Sequence, residues 1–145
     1  MDEAAVTEHI TEAYPGVDTV VAMSATFFFY NPGDGTPKDH TFPFATLVTT
    51  DEHDQFSDLA RPGVFRLNVG VSKDTFRSLF ADDRDHDFTA LDRIMPHPVY
   101  GKMYWVCVLN PDATFEAVKP LLAEAHRAAV AKRAKATAHR SKPCQ

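Results

Sequence analysis

His97-Pro98-Val99-Tyr100-Gly101-Lys102-Met103-Tyr104-Trp105-Val106-Cys107-Val108-Leu109-Asn110-Pro111, residues 97–111, is the segment on which the fold reading turns. A proline-stiffened turn leads into an aromatic and β-branched run, and Asn110-Pro111 stops it. Read as a strand, it places Lys102 and Tyr104 on one face and Met103 and Trp105 on the other. Cys107 falls inside the apolar run, where a thiol is normally inert.

Working back towards the N-terminus, residues 81–96 are rich in Asp and read as loop. Ser72 is read as the N-cap of a short helix through Phe80, with Phe76, Leu79 and Phe80 as its apolar face. Residues 64–71 form a well-marked strand. Phe65, Leu67, Val69 and Val71 face one way, and Val64, Arg66, Asn68 and Gly70 the other. Residues 51–62 are polar and irregular. A further strand is expected over 42–50, with Pro43 near its start, where a missing amide donor is tolerated. Turn residues fill 31–41. Residues 18–24 and 26–30 read as two strands with a short connection, the second aromatic on both faces. Val6, Ile10, Ala13 and Tyr14 fall on one face of a helix over 2–14, which Pro15-Gly16 ends.

Beyond Pro111, a turn at 114–119 is expected to precede a helix from about Pro120, where proline suits the first position, to about residue 136. The order helix, four strands, helix, strand, helix predicts an α+β fold: a single compact domain over 1–136, an antiparallel sheet with helices on one face. Residues 137–145 are expected to be a frayed basic tail.

A chain of 145 residues fits one domain. Eleven phenylalanines predict an aromatic core or pocket. No segment approaches the roughly 20 apolar residues that span a bilayer. The acidic N-terminus has no apolar signal region behind it, so a cytoplasmic location is expected. Cys107 and Cys144 form neither a disulfide framework nor a metal spacing. The net charge of −5 divides into −11 over residues 1–118 and +6 over 119–145. An acidic body argues against phosphate-backbone binding over a broad face, and the basic tail reads as a solvated helix end.

Tyr14-Pro15-Gly16-Val17, Thr26-Phe27-Phe28-Phe29-Tyr30, Phe42-Pro43-Phe44-Ala45-Thr46-Leu47-Val48, Arg61-Pro62-Gly63-Val64-Phe65-Arg66-Leu67-Asn68-Val69-Gly70-Val71 and residues 97–106 resemble an uncharacterised actinobacterial family of domains of unknown function. More remotely, the helix with its Pro-Gly-Val end, the His-Pro turn before a Trp-bearing strand and the closing helix are similar to the YjbR/MmcQ family. That resemblance implies a compact fold likened to CyaY and to double-wing DNA-binding domains, for which nucleic-acid binding is suggested by fold analogy.

Two groups of residues are candidates for chemistry. Arg66 and Asn68 project from one strand face, an Arg to grip a carboxylate or phosphate and an Asn to fix orientation. With Phe28, Tyr30, Phe44 and Trp105 around them they would form an aromatic-lined ligand site. The competing reading is a solvent-facing strand with a structural salt bridge. His97, Lys102 and Tyr104 are the candidate catalytic group, suited to acid–base work near neutral pH. The competing reading is a turn-shaping His-Pro with polar tips in water. Asp51-Glu52-His53-Asp54 and Asp82-Asp83-Arg84-Asp85-His86-Asp87 lack metal-ligand spacing, so no metal and no cofactor are expected.

The expected function is a small-molecule-binding protein, with catalysis or a resistance or accessory role in specialised metabolism left open. The alternatives are a nucleic-acid-binding double-wing-like domain and an interaction module without catalysis. The expected partner is a small molecule; an exposed sheet edge would let two copies pair.

Overall fold

The computed structural model describes residues 1–32, 42–81 and 85–141. Most of the expected loop over 31–41, the run Asp82-Asp83-Arg84, and residues 142–145 with Cys144 lie outside the described residues. Three helices, α1 (Glu3–Ala13), α2 (Lys73–Leu79) and α3 (Phe115–Ser141), accompany six strands. The strands are β1 (Val17–Ala22), β2 (Ala25–Tyr30), β3 (Ala45–Val48), β4 (Arg66–Gly70), β5 (Met95–Pro96) and β6 (Trp105–Leu109). They form one antiparallel sheet in the order β1-β2-β3-β4-β6-β5. The fold is α+β, as the element order predicted.

Strand alternation divides the side chains between two faces. One face carries Phe28, Ala45, Leu47, Leu67, Val69, Val106 and Val108, and all three helices pack on it. α1 contributes Val6 and Ile10, and α3 contributes Phe115, Val118, Leu122 and Ala125. Each large apolar side chain fully buried there stabilises the fold by about 1.5–3 kcal/mol. The other face carries Ala25, Val48, Met95, Cys107 and Leu109 and is covered by irregular chain bearing Leu59, Val64 and Phe88.

Local chemistry sets the element ends. Asp2 caps α1 by accepting from the Ala5 amide at 2.8 Å. Ser72 caps α2, accepting from the Thr75 amide at 3.1 Å. The β1–β2 turn is made by Met23 and Ser24, both at positive φ. Non-glycine residues rarely adopt that conformation, which matches the twist of a two-residue hairpin. It is held from outside: the Thr49 amide and hydroxyl donate to the Ser24 carbonyl, and His53 Nε2 lies 2.9 Å from the Met23 carbonyl oxygen.

Several boundaries differ from expectation. The strand expected over 42–50 contracts to β3, and the loop expected over 81–96 contains the short strand β5. Residues Gly101–Met103 form a 3-10 turn and Tyr104 follows at φ 66, so the Lys102/Tyr104 and Met103/Trp105 alternation does not exist. Gly101 and the tight turn break the β pattern before Trp105. α3 begins at Phe115 rather than Pro120 and continues past residue 136 through Ser141. Pro120 is exposed near the start of α3, and the residue whose carbonyl it leaves without its helical donor, Glu116, is exposed too.

Candidate functional site

β4 holds the central site residues. Arg66 and Asn68 project onto the loop-covered face, yet both are buried, at 1% and 3% exposure. Arg66 is therefore no solvent-facing arginine. Its terminal nitrogens already hold a carboxylate of this chain. Nη1 donates to Asp54 Oδ1 at 3.0 Å and to Ser57 Oγ at 2.8 Å, and Nη2 donates to Asp54 Oδ2 at 2.7 Å. This is the two-pronged geometry that the guanidinium fork favours. Burial raises the pKa of the Asp54 carboxyl, but the hydrogen bonds and charge of Arg66, with the Phe56 amide, hold it below the usual range.

Asn68 Nδ2 donates to Thr46 Oγ1 at 2.9 Å across the β3–β4 pair. Two polar atoms then remain without a partner: Arg66 Nε, a donor, and Asn68 Oδ1, an acceptor. Residues two apart on a strand lie roughly 6.5 Å apart and share a face. A buried polar atom left unpaired costs about 1–3 kcal/mol, so such a pair calls for a partner.

His97 joins this face. It is buried at 5% exposure, and its Nδ1 accepts from the Val99 and Tyr100 amides at 3.0 Å each. The ring proton therefore rests on Nε2, which makes no hydrogen bond among the described residues. Burial, then the charge of Arg66, outweigh the Asp54 carboxylate and push His97 down to about 4. It is thus a neutral donor at physiological pH. Cys107 lies opposite Asn68 in the β4–β6 register, and burial pushes its thiol up to about 12, so it is no nucleophile. Trp105 lies opposite Gly70, its half-buried indole so close that a Cβ on Gly70 would sit 3.1 Å from the ring.

The remaining expected site residues do not gather here. Phe28 is opposite Ala45, whereas Asn68 is opposite Thr46, and Thr46 is opposite Phe27. Phe28 thus belongs to the helix-side core, and Phe44 packs there too. Tyr30 and Phe44 surround His126 of α3, their ring centroids 5.4 and 5.7 Å from its ring. The expected aromatic-lined pocket around Arg66 fails because these rings sit on the opposite side of the sheet.

The expected catalytic group also separates. Lys102 is exposed on the 3-10 turn, and Tyr104 packs edge-on against Phe76 of α2 at 5.8 Å. His97 instead has Tyr100 as its ring neighbour at 5.0 Å. A groove of about 470 Å³ at the N-terminus, lined by Met1 to Ala4, Gly63, Phe65 and Asn110, involves none of the expected site residues. Among the described residues no three His, Cys, Asp or Glu side chains come together as metal ligands. No helix among them is long and apolar enough to cross a membrane.

Asp54 and Ser57 are the residues that sequence reasoning missed. In the sequence Asp54 stands only as the end of an acidic run without metal-ligand spacing. Its signal was available: an arginine between Phe65 and Leu67 in an apolar strand needs a carboxylate, and the preceding loop supplies one.

No curated protein and no solved structure matches the chain. None of these comparisons supports the expected likeness to YjbR/MmcQ. A model of a family of unknown function, DUF6194, matches residues 1–138, nearly the whole of the fold and all of the loop-side cluster; the chain belongs to that family.

Proposed function

We propose that this protein binds a small molecule on the loop-covered face of its sheet, with the ligand's polar group at Arg66, Asn68 and His97. One observation carries the reading: a donor and an acceptor, Arg66 Nε and Asn68 Oδ1, are buried on one strand face without partners. The loop-side cover is irregular chain rather than helix, and binding residues are disproportionately carried by such segments. The chemistry on offer is hydrogen bonding. The guanidinium is neutralised by Asp54, the thiol is inert, and Lys102 and Tyr104 are not beside His97.

The test is a thermal-shift screen against fractionated extract of the source cell, with duplex DNA as a separate sample. A ligand at 100 times its dissociation constant adds about 2.7 kcal/mol to stability. A shift from a small-molecule fraction that Asn68→Ala abolishes supports the reading. A shift from DNA alone, weakening steeply with salt, replaces it with nucleic-acid binding. No shift in any sample leaves an interaction module as the better account.

A further inference from the structure

The pattern of free donors and acceptors narrows the ligand's chemistry. Building on the small-molecule reading above, we infer that the site takes a neutral aromatic carboxamide or lactam. Three features point there. First, the local charge is balanced. Both terminal nitrogens of Arg66 are occupied by Asp54, and His97 is a neutral ring with its proton on Nε2. An anionic ligand would bring an uncompensated charge into a buried site.

Second, the open hydrogen-bonding positions are two donors, Arg66 Nε and His97 Nε2, and one acceptor, Asn68 Oδ1. An amide answers both kinds: its carbonyl oxygen has two lone pairs and its N–H donates to Asn68. A carboxylate supplies no donor and sets its oxygens against Asn68 Oδ1.

Third, Trp105 gives the rest of the ligand a place. Asn68 and Gly70 are alternate residues of β4 on one face, and the indole lies over Gly70. A ring joined directly to the amide then stacks at the half-buried indole while the amide reaches Asn68. A benzamide-like outline has that span.

The experiment uses benzamide and benzoate as probes, with benzyl alcohol as a ring lacking the amide. Fragments of this size bind at roughly millimolar concentration. The chain has one tryptophan, so the indole N–H gives a single NMR signal that reports on the site. The inference expects benzamide to shift that signal saturably and to raise the melting temperature of the full chain. Benzoate should bind roughly tenfold more weakly or not at all, because Asn68 Oδ1 then lacks a donor. Asn68→Ala and Trp105→Phe should each weaken benzamide, with folding checked by circular dichroism; the benzamide–benzoate contrast on the unaltered chain needs no variant.

Benzoate binding as tightly as benzamide overturns the amide assignment while leaving the small-molecule reading in place. So does silence from all three probes when an extract fraction still acts through Asn68. Silence from probes and extract alike, with an ordered water joining Arg66 Nε to Asn68 Oδ1 in a crystal structure, overturns both.

Discussion

The two faces of the sheet are built from the same strands and filled in opposite ways. On the helix side, α1 and α3 deliver regular apolar stripes, and their backbone groups are satisfied within the helices. On the other side the cover is irregular chain, whose amides and carbonyls need partners that the sheet interior does not offer. Polar side chains supply them. Asp51 accepts from the Leu59 amide, and Arg61 donates to the Ser57 and Thr89 carbonyls, tying the two covering segments together. Arg66 and Asp54 extend that network onto the sheet itself. The difference teaches that a sheet face takes the polarity of its cover: helices permit a dry core, whereas loops bring charge and hydrogen-bonding groups inside.

The largest expected effect tests whether the loop side depends on its ion pair. Arg66→Ala leaves the Asp54 carboxylate buried without its partner and should cost about 3–5 kcal/mol in urea unfolding. Leu67→Ala, its neighbour on the helix side, should cost about 2–5 kcal/mol through the cavity it leaves. The two losses differ in remedy. Combining Arg66→Met with Asp54→Leu removes both charges and should restore most of the stability, because a buried pair replaced by apolar groups is often neutral. An Arg66→Ala cost below about 1 kcal/mol would mean that the loop cover stands without the pair, and the contrast between the faces would collapse.

The pH dependence separates the faces more finely. His97 titrates at about 4 in the folded protein against an ordinary value of 6.5. Below pH 6.5 the unfolded chain therefore takes up a proton that the folded chain refuses. Stability from this group is complete above 6.5 and is lost as pH falls towards 4, by about 2–3 kcal/mol. The Asp54 carboxyl, held below 3.8, adds its loss only at lower pH. His9 shifts in the same direction as His97, from burial and then Lys119, on the helix side. His97→Gln should flatten most of the slope between pH 6.5 and 4.5, whereas Leu67→Ala should lower the whole curve and leave its slope intact. An unchanged slope in His97→Gln would assign the acid sensitivity elsewhere.

The helix side was legible in the sequence because its signals are periodic. Val6 and Ile10, the alternation through β4, and the Ser72 cap state their roles locally. The candidate site was legible only in part. Arg66, Asn68, His97 and Trp105 stand out as residue types, but their surroundings depend on register. Placing Phe28 with Asn68 fails by one residue of pairing across β3, and a one-residue difference moves a side chain to the other face. Lys102 and Tyr104 were misplaced because a 3-10 turn has no signal that separates it from the start of the strand it precedes. Asp54 was hidden because a loop carboxylate reveals its partner only once the chain has folded over it.

The smallest expected effect concerns the joint between the faces. Asp92 belongs to the loop-side cover, and its amide donates to the Leu109 carbonyl at 2.6 Å. Its carboxylate caps the entry to α3 on the other side, accepting from the amides of Asp112, Ala113 and Thr114 and from the Thr114 hydroxyl. The Thr114 hydroxyl foremost, then the amides, hold this carboxyl down at about 2. A cap lost to alanine costs about 1–2 kcal/mol, so Asp92→Ala should lower urea stability by that amount, and Asp92→Asn, which keeps one acceptor oxygen, by less. The location of the loss matters as much as its size. Hydrogen exchange should accelerate in the first turn of α3 while the amides of Leu67 and Val69 at the sheet centre stay protected. Exchange rising equally on both would show that the cap holds the sheet together as well as the helix, and the two faces would then unfold as one unit.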